Sequence, residues 1–556
     1  MVKINASRLR RIALALGSAL LMGLALPNEA FRFGSVPLGF ISLVPLYLAL
    51  LEAPSYGTAA LLCGLFGALQ HAITSYWLWF FNDFRFWTLG TTTIAYWAVY
   101  AVLGLYLALF LKESGRLRPL AFALLWAAFE YLKSVGFLGY PWGLLPYSLS
   151  DCLLLIQIAD LTGPYGISFV LALANAAAAE LLLALPRGLR RRAPSAPGRA
   201  CSRPSLAPRL AWGYAAAALC LVALLAAYGA LRLSRPVPRV GSLRALLVQQ
   251  NVDPWEVGEE RTLATVLRLA REGLETAAAS GAAKPDLILF SETTLQRPYL
   301  DFRKYYAQRP RSDPLIPFIT GTGSWLFTGA PIVLDWATNE ATNSVILIDP
   351  EGRQVASYAK VHPVPFAEAI PFWDVPAFKS FIQETVGLES GWVMGKEFTV
   401  FELPTASGPL RFGAPICFED AFSDVCRRYF EGGADLLVNL TNDSWSRTVS
   451  AEIQHWAVAR FRSIEFRRTM IRSTNGGLSC VIGPYGELID QLPLFEATSK
   501  LVEAPIYKEA EPSFYARAGD CFALGALLLS VLHALILIAR GPWRRASIGR
   551  PLEEAP

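Results

Sequence analysis

Hydrophobic and polar positions divide this chain into two regimes. Up to about Leu231, and again over Cys521–Ala539, apolar residues run in long blocks nearly free of acids. Between Arg232 and Arg517 short apolar runs alternate with charged and turn-forming residues. A helix that crosses about 30 Å of hydrocarbon takes roughly 20 apolar residues and satisfies its backbone polar groups within the segment. Such stretches are read at Leu9–Leu26, Val36–Leu51, Gly57–Phe80, Leu89–Leu111, Leu120–Val135, Tyr165–Leu185, Leu210–Leu231 and Cys521–Ala539. The pattern therefore predicts an α-helical membrane domain of about eight spans: seven within 1–233, the last at 519–540, and a tail at 541–556.

From Val240 the periodicity changes to short β-rich runs separated by turns and amphipathic helices, which predicts an α/β layered domain over 240–510. Strands are expected at Ala245–Gln249, Asp286–Phe290, Ser344–Ile348, Val355–Ala359, Leu410–Ile416, Ala434–Asn439 and Leu478–Ile482, and helices at Glu260–Ala279 and Ala451–Arg468.

Basic residues orient the spans, because cytoplasmic loops collect Lys and Arg. Lys3, Arg8, Arg10 and Arg11 precede the first span, and Lys112, Arg116 and Arg118 separate the fourth from the fifth. Arg187, Arg190, Arg191, Arg192, Arg199, Arg203 and Arg209 separate the sixth from the seventh. The tail with Arg540, Arg544, Arg545 and Arg550 agrees, and the alternate segments hold little beyond Arg32, Arg85 and Lys133. Both termini are thus expected in the cytoplasm and the α/β domain outside. The basic start, apolar core and Asn28-Glu29-Ala30 also fit a cleaved signal peptide, whose removal leaves this orientation unchanged. Ser195–Pro208, rich in Pro, Ser, Ala and Arg, reads as a flexible linker.

Composition sharpens the picture. With 53% hydrophobic and 17% charged residues in 556, the chain is too apolar for an ordinary soluble enzyme. Its net charge of +5 sits in segments beside apolar runs rather than on one globular face, so it reads as topology and no nucleic-acid partner is expected. Eight cysteines, unlike a zinc site or dense disulfide framework in spacing, are expected as thiols, with a Cys426–Cys480 bridge left open. Without a phosphate loop, dinucleotide fingerprint or metal motif, no cofactor and no metal are expected. His362 lacks a second ligand cluster and reads as turn packing or local hydrogen bonding rather than a metal ligand. His71 and Glu130 lie inside apolar spans, where pairing between helices accounts for either. The aromatics of Tyr76–Trp87, with Tyr140, Pro141 and Trp142 in the next outer loop, read as an interfacial belt, with the lining of a lipid entrance as the alternative.

Chemistry concentrates at three expected strand ends. Leu287-Ile288-Leu289-Phe290-Ser291 leads to Glu292, Ser357-Tyr358-Ala359 to Lys360, and Phe412-Gly413-Ala414-Pro415-Ile416 to Cys417. Singly, such a Cys is usually a buried thiol and such a Glu or Lys is usually solvated. Together they are the parts for acyl transfer: a thiol nucleophile, a carboxylate to take its proton, and an ammonium to favour thiolate and oxyanion.

These segments, with Lys360-Val361-His362-Pro363-Val364-Pro365-Phe366-Ala367-Glu368, resemble the nitrilase (carbon–nitrogen hydrolase) superfamily and, within it, the apolipoprotein N-acyltransferases. Thr441-Asn442-Asp443-Ser444-Trp445, Gln454-His455 with Ala459-Arg460, and Arg472-Ser473-Thr474-Asn475-Gly476 add to the resemblance, which spans essentially the whole chain. It implies a nitrilase-like αββα sandwich on the periplasmic side of a bacterial inner membrane. It implies Cys417 as nucleophile, Glu292 as base, Lys360 as stabiliser of the tetrahedral intermediate and Glu368 as an orienting group. Glu419, Phe418 and Trp255 match less firmly as supporting residues, and packing is the open alternative for Trp255. The implied partners are a phospholipid acyl donor, a diacylglyceryl lipoprotein acceptor and the bilayer. A membrane-tethered amidase or nitrilase that discharges the thioester to water uses the same three groups. Departures are Phe290-Ser291 before the base, where Trp-Pro is usual, Phe418 where Tyr is common, and Ala367 and Ala369 around Glu368, where Gly and Tyr are usual.

Overall fold

The computed structural model describes residues 6–81, 85–185, 206–370, 372–373, 375–386, 391–405 and 408–541, without the side chains of Arg85, Phe86, Trp255, Thr385 and Val386. The expected linker therefore lies almost wholly outside the described residues, as do Lys3, most arginines between spans six and seven, and those of the tail beyond Arg540. The chain folds as two units. One holds Met1–Lys133, Gly143–Arg232 and Asp520–Pro556, and the other Ser134–Trp142 and Leu233–Gly519.

In the first unit, five described helices are long and apolar enough to cross a membrane: Tyr56–Thr74, Trp87–Glu113, Pro164–Ala184, Pro208–Ser234 and Cys521–Ala539. The other three expected spans are shaped differently. Val36–Leu51 is two short helices, Val36–Gly39 and Val44–Leu51, each with a proline in its first turn. Proline lacks the N–H that would continue a preceding helix but suits the start of a new one. Ala6–Ala25 has the length yet carries three arginines, and Arg118–Leu132 has only 15 residues. Beyond Thr74 the expected third span tightens into the 3₁₀ turn Tyr76–Phe80.

Small residues bring these helices together. A Cβ on Gly67 would lie 2.3 Å from the Tyr100 ring, so glycine there lets Tyr56–Thr74 approach its neighbour closely. Buried acids in this unit have matched donors. Glu180 accepts Arg118 Nε at 2.6 Å, Arg118 Nη2 at 2.7 Å and the Tyr47 hydroxyl at 2.6 Å. Asp160 takes the Tyr228 hydroxyl at 2.8 Å and Arg232 Nε at 3.0 Å. Glu130 accepts Trp126 Nε1, the Leu145 N–H and the Ser168 hydroxyl. His71 stacks on Tyr96 and hydrogen-bonds Thr92, so both ionisable residues flagged within the spans are paired between or within helices.

The second unit contains β1 (Arg239–Gln249), β2 (Leu287–Leu289), β3 (Trp325–Asp335), β4 (Glu340–Ile348), β5 (Gln354–Ala359), β6 (Val400–Thr405), β7 (Gly408–Gly413), β8 (Leu436–Thr441), β9 (Met470–Thr474), β10 (Cys480–Ile482), β11 (Leu488–Gln491) and β12 (Thr498–Tyr507). They form two six-stranded mixed sheets, ordered β12-β1-β2-β3-β4-β5 and β11-β10-β9-β8-β7-β6. Each has three parallel strands, β1–β2–β3 and β7–β8–β9, flanked by antiparallel ones. The sheets meet face to face where Phe327 packs edge-on to Phe401 and Phe412 at 5.0 and 5.2 Å. Helix Glu259–Ala279 buries Leu263, Val266, Leu267 and Ala270 with Leu246 and Ile288 over the outer side of the first sheet.

Helix Val449–Phe466 is unusual in being buried from Ser450 through Phe466 although it is not strongly apolar. Its polar groups consequently need partners inside the fold. Arg462 donates to the Ala421 carbonyl at 2.8 Å and Thr448 caps the first turn through the Ala451 N–H. Cys426 and Cys480 are buried free thiols, so the bridge left open in the sequence is not formed.

Candidate active site

Three chain segments deliver the reactive groups. After β2 the chain passes Phe290 and Ser291 to Glu292, which is 5% exposed, and Lys360, 1% exposed, directly follows β5. After β7 it turns at Cys417, whose φ of +50° places a non-glycine residue in the left-handed region. That conformation costs about 1–3 kcal/mol and persists only when its surroundings impose it. Here the Glu419 carboxylate accepts the Ile416 N–H at 2.8 Å, while Asn439 Nδ2 donates to the Cys417 carbonyl at 3.0 Å.

Lys360 Nζ lies 2.8 Å from Glu368 Oε1 and 3.6 Å from Glu292 Oε1. Burial works against the ammonium, but Glu368 and then Glu292 outweigh it and hold the Lys360 pKa above its ordinary value. Burial pushes the Glu292 carboxyl up; Lys360 opposes the rise, whereas Glu368 adds to it. Burial, then the Glu292 charge, push the Cys417 thiol well above the usual thiol range. The resting site therefore holds a neutral thiol beside a carboxylate of enhanced basicity and a fixed positive charge. A thiol beside a carboxylate of raised proton affinity is an arrangement from which a thiol proton can pass to the carboxylate.

Glu368 completes the ammonium's environment and is itself held by the Val364 N–H at 2.7 Å. Glu419 is fully buried: it accepts the Tyr358 hydroxyl and the N–H groups of Val361 and His362 at 2.7 and 2.9 Å. It thereby fastens the segment after Lys360 to the turn at Cys417, and burial raises its pKa to about 7. Phe418 stacks on Trp142 with centroids 5.2 Å apart, and Trp142 stacks in turn on Tyr140 at 5.3 Å. His362 packs its ring 3.8 Å from that of Phe422, and burial lowers its pKa to about 4. Trp255 lies on the short helix Pro254–Val257, with its side chain outside the description.

Two residues at the centre were not singled out from the sequence. Asn343 Nδ2 donates to Glu292 Oε1 at 2.8 Å and Glu368 Oε1 at 2.9 Å, and its carbonyl accepts the Lys360 N–H at 2.8 Å. Asn442 donates its N–H to the second Glu292 oxygen at 3.0 Å. The available signal for Asn343 was a polar amide in β4 just before the apolar run Val345–Ile348. Among the described residues no group of three or more His, Cys, Asp or Glu is placed to hold a metal ion.

The family described as Apolipoprotein N-acyltransferase N-terminal domain matches residues 18–177, and that described as Carbon-nitrogen hydrolase matches residues 244–507. Apolipoprotein N-acyltransferase 2 of Treponema denticola is 38% identical, over 93% of this chain and 96% of its own. Apolipoprotein N-acyltransferase 2 of Treponema pallidum is 37% identical, over 94% and 93%. Among solved structures, an amidase variant from Nesterenkonia sp. AN1 is 18% identical with a TM-score of 0.34, covering 52% of this chain and 99% of that one.

Proposed function

Since the chain belongs to the apolipoprotein N-acyltransferase family, we propose that it acylates lipoproteins in two half-reactions through a thioester on Cys417. In the first, Glu292 takes the Cys417 proton as sulfur attacks an acyl ester of a membrane phospholipid. The Lys360 ammonium stabilises the oxyanion, and collapse expels the lysophospholipid, which takes up the proton held by Glu292. In the second, the α-amino group of an N-terminal diacylglyceryl-cysteine attacks the thioester. Glu292 accepts the amine proton and returns it to the leaving sulfur, giving an amide and free enzyme. Dividing one transfer between two covalent steps gives ping-pong kinetics.

The observation that carries this reading is the shared ammonium: Lys360 is 2.8 Å from Glu368 and 3.6 Å from Glu292. Glu368 holds the cation, Asn343 ties both acids, and the Glu292 charge bears on the thiol. Such a site stabilises charge that develops on the substrate without having to reorganise. Glu419 positions the turn, and Phe418 with Trp142 offers an apolar wall beside the nucleophile. Trp255 belongs to the same proposal as a residue near the acyl chain.

Both substrates are lipid-anchored, and apolar spans keep the enzyme in the bilayer that holds them. The reading places about eight spans in a bacterial inner membrane. Seven lie within 1–233 and one at 519–540, the catalytic region 240–510 faces the periplasm, and both ends with the tail 541–556 face the cytoplasm. The positive-inside distribution supports that orientation.

Intact-mass spectrometry of wild type and Cys417→Ala after incubation with phospholipid, then with a diacylated lipopeptide bearing a free amino terminus, tests the chemistry. The expected result is one acyl mass on wild type alone, lost to the peptide as an amide. An adduct discharged only as free fatty acid would favour a hydrolase instead.

A further inference from the structure

Next to the nucleophile turn lies a second buried charge cluster that the two half-reactions do not use. His455, on helix Val449–Phe466, has Nδ1 3.0 Å from Asp443 Oδ2 and Nε2 3.0 Å from Asp420 Oδ1. A carboxylate only accepts, so a ring that satisfies one on each nitrogen carries a proton on both and is an imidazolium. Charge balance leads to the same state. The groups facing His455 are Asp420 on the nucleophile turn, Asp443 after β8, Glu452 on its own helix and Arg472 on β9, with the Trp142 ring at 5.5 Å. Arg472 donates to Asp420 and lies 3.8 Å from Asp443. Burial, with the Asp443 charge, pushes the Glu452 carboxyl well up, toward its neutral form. Two carboxylates and one guanidinium then leave a single negative charge that a protonated His455 cancels, and an uncancelled buried charge is costly.

The two carboxylates belong to different parts of the site. Asp420 is three residues beyond Cys417 in the same turn. Asp443 follows Asn442, whose N–H donates to Glu292, and also accepts the Thr441 hydroxyl at 3.2 Å. We propose that His455 is a positioning residue that, as an imidazolium, ties the turn bearing Cys417 to the strand end that holds Glu292 and so sets the distance over which the thiol proton moves. The inference rests on Cys417 being the nucleophile. It assigns work to Asp420, Asp443 and His455 without any contact to substrate. The Asp443 and Asp420 charges outweigh burial and raise the His455 pKa to about 9, so the bridge persists at neutral pH and opens as pH rises through that value.

The test uses the full chain in phospholipid–detergent micelles, comparing wild type, His455→Gln and Asp443→Asn. Acyl-enzyme formation from phosphatidylethanolamine is followed against pH, and Cys417 alkylation by iodoacetamide is followed at pH about 7.5. Wild-type acylation should fall above pH about 9. His455→Gln should lower kcat by about 10- to 100-fold with little change in KM, slow the alkylation, and lose the alkaline decline. Asp443→Asn should move that decline to lower pH, because one of the carboxylates that retain the proton is gone. Wild-type kcat in His455→Gln, or an unchanged alkaline decline, overturns the proposal. So does alkylation of its Cys417 at the wild-type rate, a reading that needs no acyl donor and is independent of the acyl-transfer chemistry. If His455→Gln does not fold, an alkaline decline in Asp443→Asn at the wild-type position overturns it equally.

Discussion

The helical unit and the α/β unit both bury ionisable side chains, and they balance them in opposite ways. In the helical unit Glu180 is matched by Arg118 and Tyr47, and Asp160 by Arg232 and Tyr228. In the α/β unit one ammonium is shared by Glu368 and Glu292, with a thiol against the second of them. A closed pair has nothing left to exchange, and its value lies in fixing two helices against each other. A shared cation leaves one carboxylate incompletely held and shifts the proton affinities of its neighbours, the condition that acid–base chemistry needs. Between these two sets the contrast separates scaffold from chemistry more sharply than burial does, because both are buried; the His455 cation, held at 3.0 Å by each of its two carboxylates, falls on the scaffold side.

Removing the shared cation should give the largest loss. Lys360→Met leaves two carboxylates side by side without their counter-ion, and acyl-enzyme formation is expected to fall by about 10²- to 10³-fold, with a lower melting temperature. The check is rapid-quench intact mass of Cys417 beside a thermal scan.

Loosening the bridge is expected to act less severely and through pH. Hydrogen bonds to a carboxylate favour its charged form, so Asn343→Leu should raise the Glu292 pKa further. The proposed base must be ionised to act, so the acid limb of the kcat profile should move to higher pH, with about a tenfold loss near neutrality. An acid limb at the wild-type position would argue that another group sets it.

Glu419 should reveal itself in stability rather than in rate. Its native pKa of about 7 lies above the unfolded value of about 4.3, so the native state binds more protons between those limits. Its contribution to stability consequently falls as pH rises through that window. Glu419→Gln should lose this slope, although the amide, a poorer acceptor for Tyr358, Val361, His362 and Ile416, lowers the melting temperature at every pH. Melting curves from pH about 4.5 to 8 decide it.

The smallest effect on catalysis is expected from breaking a closed pair. Arg118→Met strands Glu180 and should cost about 3–5 kcal/mol of stability, while kcat/KM of the surviving folded enzyme stays at the wild-type value. A loss of kcat/KM per folded molecule would erase the distinction between the two units.

Much of this was legible in the chain. Cys521–Ala539 was read with the ends the helix has, and Glu260–Ala279 and Val355–Ala359 differ from the structure by one residue. Each carries its own signal: a long apolar block, a helical stripe, or a β-rich run closed by turn residues. β3, β6, β9, β11 and β12 were not read, since their pattern makes sense only against the strands they pair with. The expected single span Val36–Leu51 missed the break because apolar length was weighed above Pro37 and Pro45.

The sequence by itself determined the two regimes, the family, and the order in which a carboxylate, an ammonium and a thiol appear at strand ends. These are local properties, set by a residue and its near neighbours. Only the tertiary structure decided that Asn343 links both acids and that Asn442 reaches Glu292 across 150 positions of chain. It likewise decided that His455 joins Asp420 to Asp443. Such contacts depend on which strands lie side by side, and strand order is a long-range choice made by the packing of whole sheets rather than by the spacing of residues along one of them.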